Sequence, residues 1–391
     1  MKICLINNLY KPYARGGAER IVELQAEGLA QAGHEVFIIT TKPLFSNRKS
    51  AIVNRQSYYL PGLYYNLNKI PKILRLAWHL IDMFDIGNCL KIKSILKKEK
   101  PDIVITHNLK GIGYLTPKII KSQKIKHVHI LHDIQLLHPS GLIICGKENR
   151  LKNFSAKIYI NLCRWLFNSP DTIISPSEWL FDIHQKEKFF KKSKKIILSN
   201  PAVILSRAEK IAREKNKPFR FLYVGQAEKH KGILFLIKSF SILCQNFGRC
   251  GFELVVIGAG SKLEKAKKLA GTNKYIKFLG QKQKEEIEGL MESSDCLIVP
   301  SLCYENSPTV IYEAATIGLP VIAARLGGIP ELIHKLDGIL FKAGNEGDLM
   351  HQMKWAMDNP KVLKKIGNRS QEKIKNFSLE NYTKKLLLIL K

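Results

Sequence analysis

Residues 295–324, DCLIVPSLCYENSPTVIYEAATIGLPVIAA, are the stretch from which the fold can be inferred. A short apolar run (295–301) is followed by a polar loop, a segment with helical spacing and a second apolar run (320–324). Two apolar runs joined by a helix are typical of parallel strands with a crossover helix. The stretch therefore predicts one β-α-β unit of a parallel sheet.

The helix of this unit is predicted to begin with Ser307 as its N-cap and Pro308 at its first position, and to end at Gly318. Its first backbone N–H groups, near Thr309 and Val310, have no partner within the helix. Such groups, together with the helix dipole, attract anions. The loop and helix start are therefore a predicted anion site.

Two glutamates, Glu305 and Glu313, flank this helix start. At a rise of ~1.5 Å per residue, the six steps from Ser307 to Glu313 span ~9 Å. The paired carboxylates of retaining glycosidases lie only about 5 Å apart. The two glutamates are thus predicted to flank an extended ligand rather than to share one bond, and two ordinary surface carboxylates are the alternative.

The same alternation of apolar runs and helices continues along the whole chain and predicts two parallel-sheet domains of six strands each. The predicted strands are 2–6, 35–41, 102–106, 126–131, 171–175 and 195–199, then 219–225, 252–258, 275–280, 295–301, 320–324 and 338–341. We predict domains over 1–200 and 201–375, with a final helix, 376–391, that packs on the first domain. Ligands of such sheets bind at the carboxyl ends of the strands, and a cleft between the domains is the expected site.

Three glycine-containing loops follow predicted strands. Gly16 and Gly17 precede a helix predicted over 17–32, and the loop VGQAEKHKG (224–232) contains Gly225, Gln226 and Lys231. Both loops could hold phosphate, and an ordinary turn or a solvated lysine is the alternative for each. The third loop, VVIGAGS (255–261), lacks the G-x-G-x-x-G spacing, which disfavours a nicotinamide cofactor.

Neither a metal site nor a disulfide framework is expected. The eight cysteines are scattered without a C-x-x-C pair. Five of the eleven histidines lie between His107 and His138, but His127 and His129 alternate on a predicted strand. No cysteine or carboxylate spacing completes a known ligand set.

The net charge of +30 over 391 residues predicts an anionic partner. Residues 1–200 hold 32 lysines and arginines against 14 aspartates and glutamates, so the surplus is largest in the first half. Phosphorylated substrates and anionic lipid headgroups would both be attracted. Nucleic acid is not expected, because no nucleic-acid-binding motif accompanies the charge. A lysine-rich composition without functional meaning is the alternative.

Two basic segments, 68–85 and 185–198, each allow two interpretations. They are either a packed helix and a solvated turn, or contacts with an anionic membrane surface. No apolar run reaches the roughly 18 residues that cross a bilayer, and the N-terminus does not read as a signal peptide. We therefore expect a cytoplasmic protein, with peripheral contact with the inner face of the cell membrane.

The spacing of Glu305 and Glu313, followed by A-x-x-x-G-x-P-V-I-A and GG-x-P-E-L-I, resembles the donor-site signature of retaining glycosyltransferases of family 4. Looser matches, among them GGAER, QAGHEV, LHD and SPSEW, extend the resemblance over most of the chain. The resemblance implies the GT-B architecture, two facing Rossmann-like domains with a central cleft. It also implies a nucleotide-sugar donor used without a metal or other cofactor.

By this resemblance, Glu313 would hold the ribose of the donor and Glu305 the hydroxyls of the transferred sugar. The backbone from Asn306 through Ser307, Pro308 and Thr309 to Val310 would hold sugar and phosphate. Lys231, with Gly225 and Gln226 in the same loop, would neutralise the diphosphate, and the backbone near Leu279 would read the base. From the first domain, Gly16 and Gly17 would approach the diphosphate. His132 would lie at the donor sugar near the reacting carbon and, with Glu305, would be catalytic; a structural histidine is the alternative.

One position departs from the family pattern, which commonly has arginine where this chain has Gln226. Glutamine donates hydrogen bonds but supplies no charge. Arg15 and Arg325 are the candidates to share the neutralisation of phosphate with Lys231.

These features predict a retaining hexosyltransferase. It would move a sugar from a UDP- or GDP-sugar to a hydroxyl of a polysaccharide or lipid-linked acceptor in cell-surface glycan synthesis. Two alternatives stay open at this point. One is a nucleotide-sugar epimerase on the same fold, and the other is a non-catalytic protein that binds anionic membranes.

Overall fold

The computed structural model describes residues 1–13, 16–43, 57–62, 71, 75–203, 217–247 and 251–391. The chain forms two compact units. The first contains Met1–Leu142, Asn149–Pro201 and Leu379–Lys391, and the second contains Ile143–Glu148 and Ala202–Ser378.

The first unit is built on a seven-stranded sheet in which every neighbouring pair is parallel. Its strands are β1 (Lys2–Ile6), β2 (Glu35–Pro43), β3 (Ser57–Gly62), β4 (Ile103–Thr106), β5 (Lys126–Ile130), β6 (Thr172–Ser175) and β7 (Lys194–Ile197), in the order β3-β2-β1-β4-β5-β6-β7. The predicted parallel sheet is confirmed, and β3 is an additional edge strand. Pro61 lies in β3. Proline has no backbone N–H to donate, and it is tolerated in an edge strand because one side of that strand has no partner strand.

Helices connect and cover these strands. They are α1 (Gly17–Gln31), α2 (Arg75–Met83), α3 (Ile86–Glu99), α4 (Thr116–Ser122), α5 (Phe154–Phe167) and α6 (Glu178–Lys186). The helix at the end of the chain, α14 (Leu379–Leu390), packs on α1. Gly28 permits this contact, because a Cβ atom there would collide with the Thr383 hydroxyl, and the Tyr382 hydroxyl bonds to Gln25 beside it.

The second unit has a six-stranded parallel sheet that contains all six predicted strands. These are β8 (Phe219–Val224), β9 (Phe252–Ile257), β10 (Ile276–Gly280), β11 (Cys296–Val299), β12 (Val321–Ala324) and β13 (Ile339–Phe341), in the order β10-β9-β8-β11-β12-β13. Its helices are α7 (Ile233–Phe247), α8 (Leu263–Ala270), α9 (Lys284–Glu292), α10 (Thr309–Thr316), α11 (Ile329–Leu336), α12 (Glu346–Asp358) and α13 (Pro360–Lys373). Buried apolar clusters lie on the two faces of this sheet. The two parallel sheets with interleaved helices are those of the GT-B fold.

The division between the units falls between Pro201 and Ala202, and one short segment departs from the predicted ranges. Residues Ile143–Glu148, predicted within the first domain, belong to the second unit. Ile144 forms an isolated antiparallel bridge with Cys303, which holds this segment beside the loop after β11. At the other end of the chain, residues 376–378 also belong to the second unit rather than to the final helix.

The predicted basic segments are only partly available for lipid contact. In 185–198 the lysines are exposed, so contact of this segment with an anionic membrane surface stays a prediction, but Phe189 and Phe190 are buried. They pack on the ring of His184. Of 68–85, residues 68–70 and 72–74 lie outside the described residues, and Trp78 is buried. Within the described ranges, no helix has the length and apolar character needed to cross a bilayer.

Candidate active site

Four loops of the second unit meet at the carboxyl ends of the central strands, and glycines allow their close approach. A Cβ atom on Gly258, after β9, would collide with the carbonyl oxygen of Gly225, after β8. A Cβ atom on Gly327, after β12, would collide with the carbonyl oxygen of Glu305, after β11. Both glycines also have positive φ, 136° and 65°. Side chains on these loops are thereby brought to one edge of the sheet.

Lys231 and Glu305 form an ion pair at this edge. The Lys231 Nζ lies 2.7 Å from the Glu305 Oε2, and the Ser301 hydroxyl donates to the other carboxylate oxygen. The two side chains are 29% and 13% exposed. Burial lowers the pKa of Lys231, but the Glu305 carboxylate raises it by more, so the pKa is raised overall. The lysine is therefore a fixed ammonium ion at neutral pH.

Helix α10 begins after this pair, and its cap differs from the prediction. Pro308 is the N-cap, and the expectation that Ser307 caps the helix is wrong. The Ser307 hydroxyl lies 2.7 Å from the Tyr312 hydroxyl, and this contact holds it away from the backbone N–H groups that it would cap. The helix therefore starts at Thr309 without a side-chain cap, and Val310 follows in its first turn.

The remaining predicted residues of this helix and loop differ in exposure. Asn306 is buried, at 8% exposure, whereas Glu313 is exposed on the second turn of α10. The helix ends as predicted, with Gly318 at a φ of 73°. Glu305, the start of α10 and Glu313 thus lie in succession along one loop and helix.

The positions around this site that could read the base or add charge are exposed. Gln226 has an exposed side chain, while its backbone oxygen accepts a hydrogen bond of 2.7 Å from the Tyr223 hydroxyl. Leu279, near the end of β10, is 37% exposed. The side chain of Arg325 is exposed after β12. Arg15 lies outside the described residues.

In the first unit, His132 lies at the carboxyl end of β5, in contact with His107 after β4. The His132 Nε2 is 2.9 Å from the His107 Nδ1. Burial lowers the pKa of His132 to about 4, and burial together with its histidine neighbours lowers that of His107. Both imidazoles are therefore neutral at pH 7. The His107 Nε2 is buried without a hydrogen-bond partner.

The predicted phosphate contact at the start of α1 is already occupied. Gly16 is the N-cap residue, and its N–H donates to the Glu19 carboxylate at 2.6 Å. Glu19 is itself buried, at 8% exposure. A phosphate at Gly16 would have to compete with this carboxylate for the Gly16 N–H. Of the two predicted residues, Gly17 is therefore the better candidate for a contact with phosphate.

Several residues of these sites could not be identified by sequence reasoning. Glu228 links two loops, since its carboxylate accepts from the Ser261 N–H at 2.6 Å and from the Ser261 hydroxyl at 2.8 Å. The Tyr304 hydroxyl donates to Glu148 at 2.9 Å, which ties the loop carrying Glu305 to the 143–148 segment. These partners are 33 and 156 positions apart. No local motif signals such pairs.

No group of three or more histidine, cysteine, aspartate or glutamate side chains is placed to hold a metal ion within the described part of the chain. His107 and His132 contact each other, and two further buried histidines share one hydroxyl. The Thr106 hydroxyl lies 2.7 Å from the His127 Nε2 and 2.9 Å from the His129 Nδ1. Burial of both rings lowers their pKa values, that of His127 to about 4.

Comparison with known proteins identifies the fold and the family of this chain. A Klebsiella pneumoniae protein described as an uncharacterized 42.6 kDa protein in the cps region is similar to this chain over most of its length. It is 28% identical over 349 residues, 87% of this chain and 90% of the relative. An amylovoran biosynthesis glycosyltransferase of Erwinia amylovora is 34% identical over 139 residues, 33% of this chain and 34% of the relative. Anabaena HepE in complex with UDP has the same fold, with a TM-score of 0.74 at 17% identity over 100% of this chain and 99% of that one.

Two family models together match nearly the whole chain. Residues 15–202 match the model described as Glycosyltransferase Family 4, and residues 206–373 match the model described as Glycosyl transferases group 1. These matches do not favour an epimerase or a non-catalytic membrane-binding protein. The chain is a glycosyltransferase with the GT-B fold and belongs to the group 1, family 4 glycosyltransferases.

Proposed function

We propose that this glycosyltransferase moves a hexose-type sugar from a UDP- or GDP-sugar to a hydroxyl of a polysaccharide or lipid-linked acceptor, with retention of configuration at the transferred carbon. The observation that carries the donor assignment is the contact between Lys231 and Glu305 beside the uncapped start of α10. It puts a cation, a hydrogen-bonding carboxylate and free backbone donors at one edge of the sheet.

Each part of a nucleotide sugar has a matching group in this arrangement. The Lys231 ammonium and the backbone N–H groups at Thr309 and Val310 suit the diphosphate. The Glu305 carboxylate, which contacts the Lys231 ammonium, suits the hydroxyls of the sugar. The backbone of the buried Asn306, the next residue, supplies further contacts. Glu313, four residues or ~6 Å along the helix from Thr309, suits the ribose hydroxyls.

Other residues complete the proposed donor contacts. Gly225 and Gln226 supply backbone beside the diphosphate, and the exposed backbone near Leu279 suits the base. From the first unit we assign to His132 a contact with the donor sugar and to Gly17 an approach to the diphosphate. A neutral imidazole donates or accepts a hydrogen bond without repelling the positive charge that develops on the sugar ring.

Catalysis is proposed to depend on positioning and on stabilisation of the leaving group. The bond from the sugar to the diphosphate oxygen breaks as the acceptor oxygen bonds to the same carbon. The departing diphosphate takes the proton of the acceptor hydroxyl. Lys231 and the start of α10 stabilise the charge that the diphosphate gains, and we propose that they do so without a metal ion.

The relatives support the two substrate classes. One structure of Anabaena HepE contains UDP, and another structure of that protein contains UDP-glucose. Polysaccharide synthesis is supported by the Klebsiella relative in a cps region and by the amylovoran biosynthesis enzyme. The lipopolysaccharide outer core galactosyltransferase WaaB, whose name also refers to a cell-surface glycan, shares the fold.

A thermal-shift panel of UDP, GDP and their sugars tests the donor assignment. We expect one nucleotide series to raise the melting temperature, because a ligand that binds only the folded state stabilises it. The shift should be lost in Lys231→Met and in Glu313→Ala. The matched control is Lys238→Met, which removes another ion-paired lysine of the second unit, 2.8 Å from Glu346 on α12.

The proposal fails if no nucleotide or nucleotide sugar shifts the melting temperature of the parent protein. It also fails if Lys238→Met reduces the shift as much as Lys231→Met, since the effect would then reflect general charge loss. Transfer of radiolabelled sugar to an isolated polysaccharide or lipid-linked oligosaccharide, followed by analysis of the linkage, tests the acceptor class and the retention of configuration separately.

A further inference from the structure

Helix α5 of the first unit exposes large apolar side chains on its outward face. Phe154, Ile158 and Trp165 are 81%, 53% and 59% exposed. At 100° per residue they lie within about 40° of one another around the helix, in a stripe ~16 Å long. The opposite side of the helix carries its buried residues, among them Ile160 and Cys163. The helix is therefore apolar on two faces, and the sheet accounts for only one of them.

The sequence around this stripe is basic and contains no acidic residue. Residues 103–132, which include α4, hold five lysines, and residues 149–170, which include α5, hold four lysines and arginines. Neither range contains an aspartate or glutamate, although the whole chain has 33. The excess of positive charge in these two ranges is therefore local and does not only reflect the basic composition of the chain. A surface that combines apolar and cationic side chains needs an apolar and anionic partner.

Helix α4 places its lysines directly beside the stripe. The Lys118 Nζ lies 3.0 Å from the centre of the Trp165 ring, so cation and aromatic ring share one surface. Beyond them is a cavity of about 510 Å³ lined by Lys118, Lys121 and Lys124 and by the end of α5. Its acidic lining residue, Asp171, is committed to the backbone, because its carboxylate accepts the His127 N–H at 2.7 Å.

We propose that Lys118, Lys121, Lys124, Phe154, Ile158 and Trp165, the α4–α5 surface, dock the enzyme on an anionic lipid bilayer. Aromatic and aliphatic side chains that protrude by one side-chain length can enter the region between headgroups and acyl chains. The lysines beside them attract anionic headgroups, and the lysine-lined cavity has room for one headgroup phosphate. The charge and the apolar stripe thus have the same partner.

Charge argues against a second copy of the chain as the partner. In a two-fold symmetric contact the same patch meets itself, so the lysines of one copy would face those of the other. Asp171, the acidic residue that lines the cavity, accepts a hydrogen bond from the His127 N–H and so offsets little of this repulsion. An anionic bilayer supplies the missing charge at any orientation of the enzyme about the membrane normal.

The place of this surface in the sheet is compatible with catalysis. The cavity is lined by Lys126 and His127 at the amino end of β5. His132 follows the carboxyl end of the same strand. Docking through α4 and α5 therefore leaves the strand ends that carry His132 uncovered. The proposal does not depend on the identity of the sugar or of its nucleotide.

Flotation of the full-length enzyme with vesicles tests the proposal. We expect it to bind vesicles of 70% phosphatidylcholine and 30% phosphatidylglycerol, and not vesicles of phosphatidylcholine alone. Each lysine near an anionic surface contributes about fivefold to partitioning, so Lys118→Gln, Lys121→Gln and Lys124→Gln together should lower it about a hundredfold. Phe154→Ser with Trp165→Ser should lower it at least tenfold, because apolar burial is lost.

A control with the same charge change lies in the second unit. Lys361, Lys364 and Lys365 are exposed on α13 beside the exposed Val362, and their replacement by glutamine should leave binding unchanged. Bromine-labelled lipids should quench tryptophan emission in the parent enzyme and do so much less in Trp165→Phe. Nucleotide-induced thermal shifts of all variants show that they remain folded and report on the donor site independently.

Four results would overturn the proposal. The first is no binding to the anionic vesicles, and the second is equal binding to both kinds of vesicle. The third is an equal loss of binding in the α13 control. The fourth is a salt-resistant dimer that dissociates in Phe154→Ser with Trp165→Ser, which would make this face a contact between copies of the chain.

Discussion

Replacing Lys231 with methionine should weaken nucleoside diphosphate binding while leaving the protein folded. The change keeps the length of the side chain but removes the ammonium that lies 2.7 Å from Glu305. A hydrogen bond to a charged group contributes about 1.5–3 kcal/mol, which corresponds to roughly 10- to 150-fold in affinity. Stability should fall by about 1–2 kcal/mol, less than for a fully buried pair, because the Lys231 side chain is 29% exposed.

The matched change, Glu305→Gln, should separate the two roles. Without the carboxylate, the ammonium is no longer partly neutralised, so free diphosphate should bind as tightly as in the parent or severalfold more tightly. Sugar transfer should nevertheless fall, by about a hundredfold, because a neutral amide replaces a charged acceptor for the sugar hydroxyls. Isothermal titration with UDP and GDP measures the first effect, and turnover of the corresponding nucleotide sugar measures the second.

Opposite outcomes for the two variants are the critical result. If Lys231→Met binds the diphosphate as tightly as the parent at the same ionic strength, the proposed contact with phosphate is wrong. If Glu305→Gln loses diphosphate affinity to the same extent as Lys231→Met, the two residues act as a structural pair and the assignment of Glu305 to the sugar is wrong. Lys238→Met should leave both measurements unchanged.

Three further predictions follow from the geometry. The free energy of unfolding should fall as the pH drops from 7.5 to 5. Burial lowers the pKa values of three histidines to about 4 in the folded protein. In the unfolded chain the same histidines titrate near pH 6.5, so only the unfolded state takes up protons in this window. These histidines are His127, His132 and His184. The loss is about 1 kcal/mol for each at pH 5.5, measured from urea midpoints, and a midpoint independent of pH would contradict it. Gly232→Ala should lower the free energy of unfolding by at least ~3 kcal/mol or prevent folding, because φ is 79° and the new Cβ would collide with the Pro300 carbonyl. Gly289→Ala, in open space on α9, should be tolerated. Tyr304→Phe should raise the KM for the donor severalfold with little loss of stability, because it frees the Glu305 loop from Glu148, and an unchanged KM would show that this tie does not position the loop.

The strands of the second unit were predictable because each is a short apolar run between polar turns. Burial on both faces of a parallel sheet demands such runs, so the pattern in the sequence is local and strong. Strand β3 was not predicted because SYYLPG is an edge strand, pairs on one side only and contains a proline. The register of β3 is set by its pairing with β2, and the residues of β3 alone do not indicate that pairing.

The site was predictable as a set of residues but not as a set of contacts. The loop after β11 and the start of α10 could be placed from capping and turn chemistry to within one residue. The error at Ser307 arose because its hydroxyl bonds to Tyr312 rather than to the backbone. The pairing of Lys231 with Glu305 spans 74 positions, and the segment Ile143–Glu148 joins the second unit from far upstream. Both depend on the tertiary fold, which no local pattern encodes.

The contact between Lys231 and Glu305 also bears on the missing arginine at position 226. An ion pair has no net charge, so in the free enzyme much of the attraction for a diphosphate falls to the start of α10 and to the surrounding basic surface. A complete nucleotide sugar changes this balance, because its hydroxyls offer Glu305 new partners and leave the ammonium to the phosphate. A free diphosphate has no such hydroxyls and must compete with the carboxylate. The enzyme should therefore bind intact donor more tightly than the diphosphate product, with Glu305 acting as the group that distinguishes them.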